Sequence, residues 1–186
     1  MSKYKEIKKK IDELTKKAPH EIEYVHSQSV LKWVLKLKPN TDVALKIAAL
    51  GHDIDRSVSG RIKAGDFGSY EEYKKQHALR SAKIISELMG KLNFDKKTLE
   101  KTRFLIENHE VGGGGDVEIL KEADSLSFFE NNLKHYKKIN PDYVKDKIRF
   151  MYDRLSKKAR KMVLEIKFQN EELKNLVMET TSEEEI

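Results

Sequence analysis

Six side chains of this 186-residue sequence are of types that bind cations: His26, the adjacent pair His52 and Asp53, His77, His109 and Asp124. A neutral imidazole nitrogen and a carboxylate oxygen are the ligands that borderline divalent cations accept together. A His-Asp dipeptide alone is a frequent accident, so its weight comes from the four residues that accompany it. Cysteine is absent. That excludes disulfides, thiolate zinc sites, iron-sulfur clusters and cysteine nucleophiles, and leaves His and carboxylates as the side-chain ligands.

The elements that must carry these residues read as helices throughout. Lys3 to Lys17 has Ile7, Ile11 and Leu14 at helical spacing, and Ala18-Pro19 ends it. A second helix, from about His20 to Lys38, shows Ile22, Val25, Ser29, Trp33 and Leu37, with His26 inside that stripe. A third runs from about Asp42 through Val43, Ile47 and Leu50 and stops at His52-Asp53. Arg56 to Ser69 is poor in helix signals and contains Gly60, Gly65 and Gly68; it is expected to form a loop over the site. Ser69-Tyr70-Glu71-Glu72 has capping-box spacing and opens a helix with Tyr73, His77, Ser81, Ile84 and Leu88 on one stripe. Asp95 is expected to cap the next, which carries Leu99, Thr102, Leu105, Ile106 and His109.

Gly112 to Gly115 should end that helix as a flexible connection, because four glycines stay helical only at large entropic cost. Val117 to Lys138 places Leu120, Asp124, Ser127 and Asn131 down one side. Asn140-Pro141 has the N-cap and first-turn pattern of a helix reaching about Leu155, and a C-terminal helix is predicted over 156–179. The tail 180–186 is expected to be frayed. The resulting prediction is an all-α, compact, single-domain bundle of about seven to eight helices over 1–186. A chain of this length buries a core without metal staples, so a bound metal is expected to serve chemistry.

Each histidine alone reads most simply as a partnered core residue. Their joint placement argues otherwise, since inward stripes of four helices each carry a polar group, and burying such groups without partners costs some kcal/mol apiece. A shared cation removes that cost. His20, beside Pro19, and His135, among surface lysines, fall outside this pattern.

The ordered set His26, His52-Asp53, His77, His109, Asp124 resembles the HD superfamily of metal-dependent phosphohydrolases. Local contexts agree: Ala48 to Ile54, Gln76 to Ala82, Ile106 to His109 and Glu122 to Leu126 are similar to the family's ligand stretches, over about residues 20–130. The resemblance implies an HD-type bundle in which His26, His52, Asp53 and Asp124 hold one metal. His77 and His109 are what members with a two-metal site possess, with Asp53 bridging. It further implies one or two divalent ions (Mn, Fe, Zn, Co or Ni), with Mg as an option at a second position. Asp55-Arg56 departs from the Gly-Lys that members often have there.

The chemistry expected is hydrolysis of a phosphate ester or anhydride, of a nucleotide by resemblance, with Asp53 orienting water and Glu110 assisting proton transfer. Arg56, Arg61, Lys63 and Arg80 are the candidate phosphate-binding cations. Two alternatives stay open: a metal-containing nucleotide-binding or sensing module without turnover, and a basic RNA- or protein-binding helical domain. The formal charge of +6 permits nucleic acid without demanding it, because the lysines interleave with glutamates as on solvated faces. No apolar run approaches a bilayer span and Met1-Ser2-Lys3-Tyr4 leads into a charged amphipathic segment, so a cytoplasmic protein with a small phosphorylated substrate and no membrane partner is expected.

Overall fold

Helix α3 (Val43–Gly51) is the hub. Its residues from Leu45 to Gly51 are almost all fully buried, Lys46 excepted. An apolar helix with no polar face needs neighbours all round. Here they are α1 (Lys3–Lys16), α2 (Ile22–Leu37), α5 (Lys96–Asn108) and α6 (Gly115–Ser127), with α4 (Tyr70–Lys91) closing the ring against α5. The computed structural model describes residues 2–19 and 21–182, all helical or loop with no strand among them. Among the described residues, no helix is long and apolar enough to cross a membrane. The expected helix start at His20 and the tail beyond Ser182 lie outside the described residues.

Local chemistry sets several boundaries. Asp42 accepts from Leu45 N at 3.0 Å, Ser69 from Glu72 N at 3.1 Å and Asp95 from Thr98 N at 2.8 Å, each satisfying an N–H that has no helical partner. The glycine run is a turn of definite shape, with Gly112 to Gly115 all at positive φ, a conformation that side-chain-bearing residues rarely adopt. Helices α2 and α3 are rotated relative to the expectation from periodicity. Val25 and Val43 each remain 38 % exposed, while His26, Val30 and Val34 form the buried stripe of α2.

The C-terminal third is divided more finely than its periodicity suggested. The stretch expected as one helix from Val117 to Lys138 is α6, a π-helical turn over Phe128–Asn132, and α7 (Leu133–Ile139). Asn140 makes no side-chain cap, and Pro141 opens a short 3-10 turn ahead of α8 (Val144–Asp153). The C-terminal helix expected over 156–179 is instead α9 (Lys157–Leu164) and α10 (Glu171–Ser182). The break arises because Glu165 closes α9 and Asn170 starts α10 afresh, its side chain accepting from Leu173 N at 2.8 Å. Nor does the chain fray at 180–182. Thr180 and Thr181 are buried, and their hydroxyls donate to the carbonyls of Leu176 and Val177. α10 packs on α8, and Glu122 of α6 accepts from Ser156 N at 2.9 Å, tying α9 to the core.

Gly51 is where α3 passes closest to α4. A Cβ placed there would lie 2.7 Å from Ile85 Cγ1 and closer still to Ile85 Cδ1, and Ile85 is itself fully buried. Gly51→Ala is therefore expected to destabilise the chain by about 1–3 kcal/mol through overpacking. Thermal or urea denaturation of the two chains measures it; an unchanged midpoint would mean the helices separate more easily than this contact implies.

Candidate metal centre

Two of the histidines stand at helix C-termini and are fixed there by the helix itself. His52 caps α3 and its Nδ1 donates to Ala49 O at 3.1 Å; His109 caps α5 and its Nδ1 donates to Ile106 O at 2.7 Å. A carbonyl oxygen only accepts, so both rings carry a proton on Nδ1 and turn Nε2 inward. His26, mid-helix in α2, does the same through Ser127 of α6. Its Nδ1 is 2.9 Å from Ser127 Oγ, whose own proton points to His26 O at 3.4 Å. Holding one ring nitrogen so that the other faces a cation is the arrangement of metal-ligating histidines.

These nitrogens converge. His26 Nε2 lies 3.3 Å from His52 Nε2 and 3.3 Å from Asp124 Oδ1, and His52 Nε2 lies 3.7 Å from the same carboxylate oxygen. Two imidazole nitrogens and a carboxylate oxygen at such distances call for a positive charge among them, a proton or a cation. Asp53, just after α3, occupies the centre. Its Oδ2 faces His26 Nε2 at 3.7 Å, and its Oδ1 faces His52 and His109 at 3.8 Å and His77 Nε2 at 2.6 Å. His77, His109 and Glu110 form a second group that adjoins Asp53 through these contacts. All six residues expected as ligands are thus brought together, none more than 9 % exposed. Three overlapping groups, His26 with His52 and Asp124, His52 with Asp53 and His109, and His77 with His109 and Glu110, each bring imidazole nitrogens and a carboxylate oxygen close enough to hold a metal ion.

Three residues that sequence reasoning did not assign to the site complete it. Asp55, in the 3-10 turn Ile54–Ser57, brings Oδ1 to 2.5 Å from His77 Nδ1, close in distance although off the line of a good hydrogen bond. Ser81 lies against both the Asp55 amide (3.3 Å) and its carboxylate (3.5 Å). Arg154, at the end of α8, donates to Asp124 Oδ2 at 2.9 Å and to His109 O at 3.2 Å. The Asp55-Arg56 pair that departs from the HD pattern was the available signal for the first. Nothing local marks Arg154.

Charge in the cluster follows from these contacts. Burial alone would raise the Asp53 carboxyl, but Arg56, at 2.6 Å from its Oδ2, together with His52 and His77 holds it well below the usual carboxylate range. Burial would raise Asp124 as well, yet Arg154, His26 and His52 hold it well below that range. For His77, burial is outweighed by Asp53 and Asp55, which push it up to about 9. Burial would lower His52, and Asp53 and Asp124 raise it in spite of that. His109 goes the other way, down to about 4, because burial dominates there.

The centre forms one wall of a cavity of about 380 Å³. Arg56 and Arg61 line it; Lys63 and Arg80 do not, and Arg80 instead donates to Ser59 O at 3.0 Å, holding the 56–69 segment in place. Glu110 also faces the cavity, 3.8 Å from both His109 Nε2 and Arg154. His135, set aside from the sequence, lines the cavity too, since the π-turn redirects the helix it lies on. Residues 5–177 match the family described as a domain of unknown function, DUF4202, and the chain belongs to that family. No curated protein and no solved structure matches it.

Three outcomes are expected of the centre. In the metal-free chain, His77 gains a proton on folding and His109 resists one. The His77 contribution to stability is therefore present below pH 6.5 and lost as pH rises through about 9, while that of His109 is lost as pH falls from 6.5 towards about 4. Denaturation of chelator-treated protein across this range should show stability falling on both sides, with the alkaline fall missing in His77→Gln. Metal affinity, in contrast, should rise with pH up to about 9 as the His77 proton leaves. Separately, Asp55→Asn should weaken Zn or Mn binding by about 10–100-fold, because it loosens the hold on His77; calorimetric titration gives the value, and unchanged affinity would remove Asp55 from the site.

Proposed function

We propose that the protein is a metal-dependent phosphohydrolase that cleaves a phosphate ester or anhydride, with a nucleotide as the first substrate to try. The observation that carries this reading is the meeting of His26 Nε2, His52 Nε2, Asp53 and Asp124 at one wall of a cavity that also presents arginines. The HD resemblance supports it through the order and context of the same residues. A divalent cation held there would supply Lewis acidity, activating water and neutralising charge on a phosphoryl group.

The side chains divide the remaining work. Asp53 presents oxygens to both groups of histidines and orients an attacking water by accepting its proton in a hydrogen bond. Arg56 is fixed on Asp53 yet its side chain is 33 % exposed, so its other N–H groups remain able to meet phosphate oxygens in the forked geometry that guanidinium favours. Arg61 approaches from the 56–69 segment with its charge open to solvent. Glu110 sits where it can exchange a proton with a leaving oxygen, its carboxylate placed by Arg154 at 3.8 Å. Tyr70, half exposed and packed on Tyr73 at 5.8 Å between ring centres, offers an aromatic face for a planar leaving group.

Protein stripped with chelator and reloaded with Mn, Co or Zn should release phosphate from at least one member of a panel of nucleoside mono-, di- and triphosphates and simple phosphomonoesters. Asp53→Ala should reduce kcat by about 100-fold or more in keeping with loss of metal-assisted hydrolysis. Nucleotide-induced stabilisation with no release from any substrate would replace the hydrolase reading with a metal-containing binding module.

A further inference from the structure

The cations around the cavity are of two kinds. Arg56 is committed to Asp53, Arg154 to Asp124, and Lys74, close by, to Glu71 at 2.7 Å. Lys147 of α8 lines the cavity too, but no ion pair with a carboxylate is recorded for it among the described residues. Its ammonium stands instead over the ring of Phe150 at 4.8 Å and that of Phe128, at the start of the π-turn, at 5.8 Å. The Phe150 ring is already approached by Lys74 Nζ at 5.0 Å and Arg154 Cζ at 5.6 Å, so three cations crowd one aromatic ring.

Aromatic faces attract positive charge but accept few hydrogen bonds, and an ammonium has three N–H donors to satisfy. Burial pushes Lys147 down to about 8, with Asp124 and Glu110 drawing it back up and Arg154 and Arg56 adding to the fall. Among the described residues no oxygen is recorded as accepting from its ammonium, which is open to what enters the cavity. Lys147 lines the same cavity as His26, Asp53 and Asp124 of the candidate metal centre. Arg61 is the second cavity cation without a carboxylate partner among the described residues. Together the two offer the cavity two positive charges that no carboxylate of the described residues pairs, matching the charge of a phosphate dianion.

We infer that Lys147, held between the Phe128 and Phe150 rings without a carboxylate partner, binds the terminal phosphoryl group of a phosphomonoester, making this site one for monoester dianions. The identity of the anion rests on the phosphohydrolase reading. The presence of the anion site can be tested without turnover.

The probe is inorganic phosphate, titrated calorimetrically into the full chain after chelation and again after metal loading. Lys147→Met should weaken binding by about tenfold or more, Lys147→Arg by no more than about threefold, and Lys145→Met, an exposed neighbour on α8, should leave it unchanged. A reading on the native chain avoids any folding defect of the variants: saturating phosphate should slow acylation of Lys147 by an amine-reactive ester, followed by peptide mass spectrometry, without slowing that of Lys145. Native protein that binds no phosphate, equal affinity in Lys147→Met, or acylation of Lys147 indifferent to phosphate would each overturn the assignment. Phosphate binding that depends on Lys147 with no ester hydrolysed would remove the hydrolase reading and leave the anion site standing. Hydrolysis with unchanged KM in Lys147→Met would do the reverse.

Discussion

Imidazole nitrogens and carboxylate oxygens are pressed together inside this protein, and the arginines around them answer the resulting demand for positive charge. His26 Nε2 and His52 Nε2 face each other at 3.3 Å with Asp124 beside them, in a setting from which bulk water is nearly absent. Like-signed electron density at that separation in a low-dielectric interior is strongly unfavourable. Without a metal, protons and arginines supply part of the compensation: Arg56 on Asp53, Arg154 on Asp124, and a proton on His77 between Asp53 and Asp55. A divalent ion would supply it more completely, which is why the same geometry reads as a site for one.

The fold enforces this closeness through helix ends. His52 and His109 are held by the last turns of α3 and α5, using carbonyls that the helix leaves without partners. Helix ends are good platforms because their geometry is set by the helix and is then stiffened by what packs around it. α3 is enclosed by its neighbours, and Gly51, one residue before His52, permits the close approach to Ile85 of α4 that places His77 opposite Asp53. Positioning and packing here are one constraint.

Across the cavity the chain departs from regular helix. The π-turn at Phe128–Asn132 inserts an irregular turn between α6 and α7, so Asp124 can face His26 and His52 while Phe128, Asn132 and His135 face the cavity from further along the same rod. π-turns of this kind often occur at functional sites because the inserted residue reorients the side chains that follow. Glu130, within the turn, is itself anchored to Ser29 at 2.7 Å and to Trp33 Nε1 at 3.0 Å of α2. The irregular segment is thereby fastened to the helix that carries His26.

Much of this was written locally. Helical periodicity gave the all-α class, the capping residues Asp42, Ser69 and Asp95 marked helix starts, and the placement of His26, His52, Asp53, His77, His109 and Asp124 at inward faces and helix ends pointed to a candidate cation site. Such features depend on residues within a turn or two of each other, which a sequence displays directly. Tertiary structure alone decided that these six side chains meet, that Asp55 stands behind His77, that Arg154 reaches back 30 residues to Asp124, and that Lys147 is left facing the cavity between two rings. It also decided the breaks in the C-terminal third, where periodicity continues across a π-turn and a loop that local pattern does not register. The physical reason is that a helix fixes the direction of a side chain, whereas the distance between side chains on different helices is set by how the whole core packs.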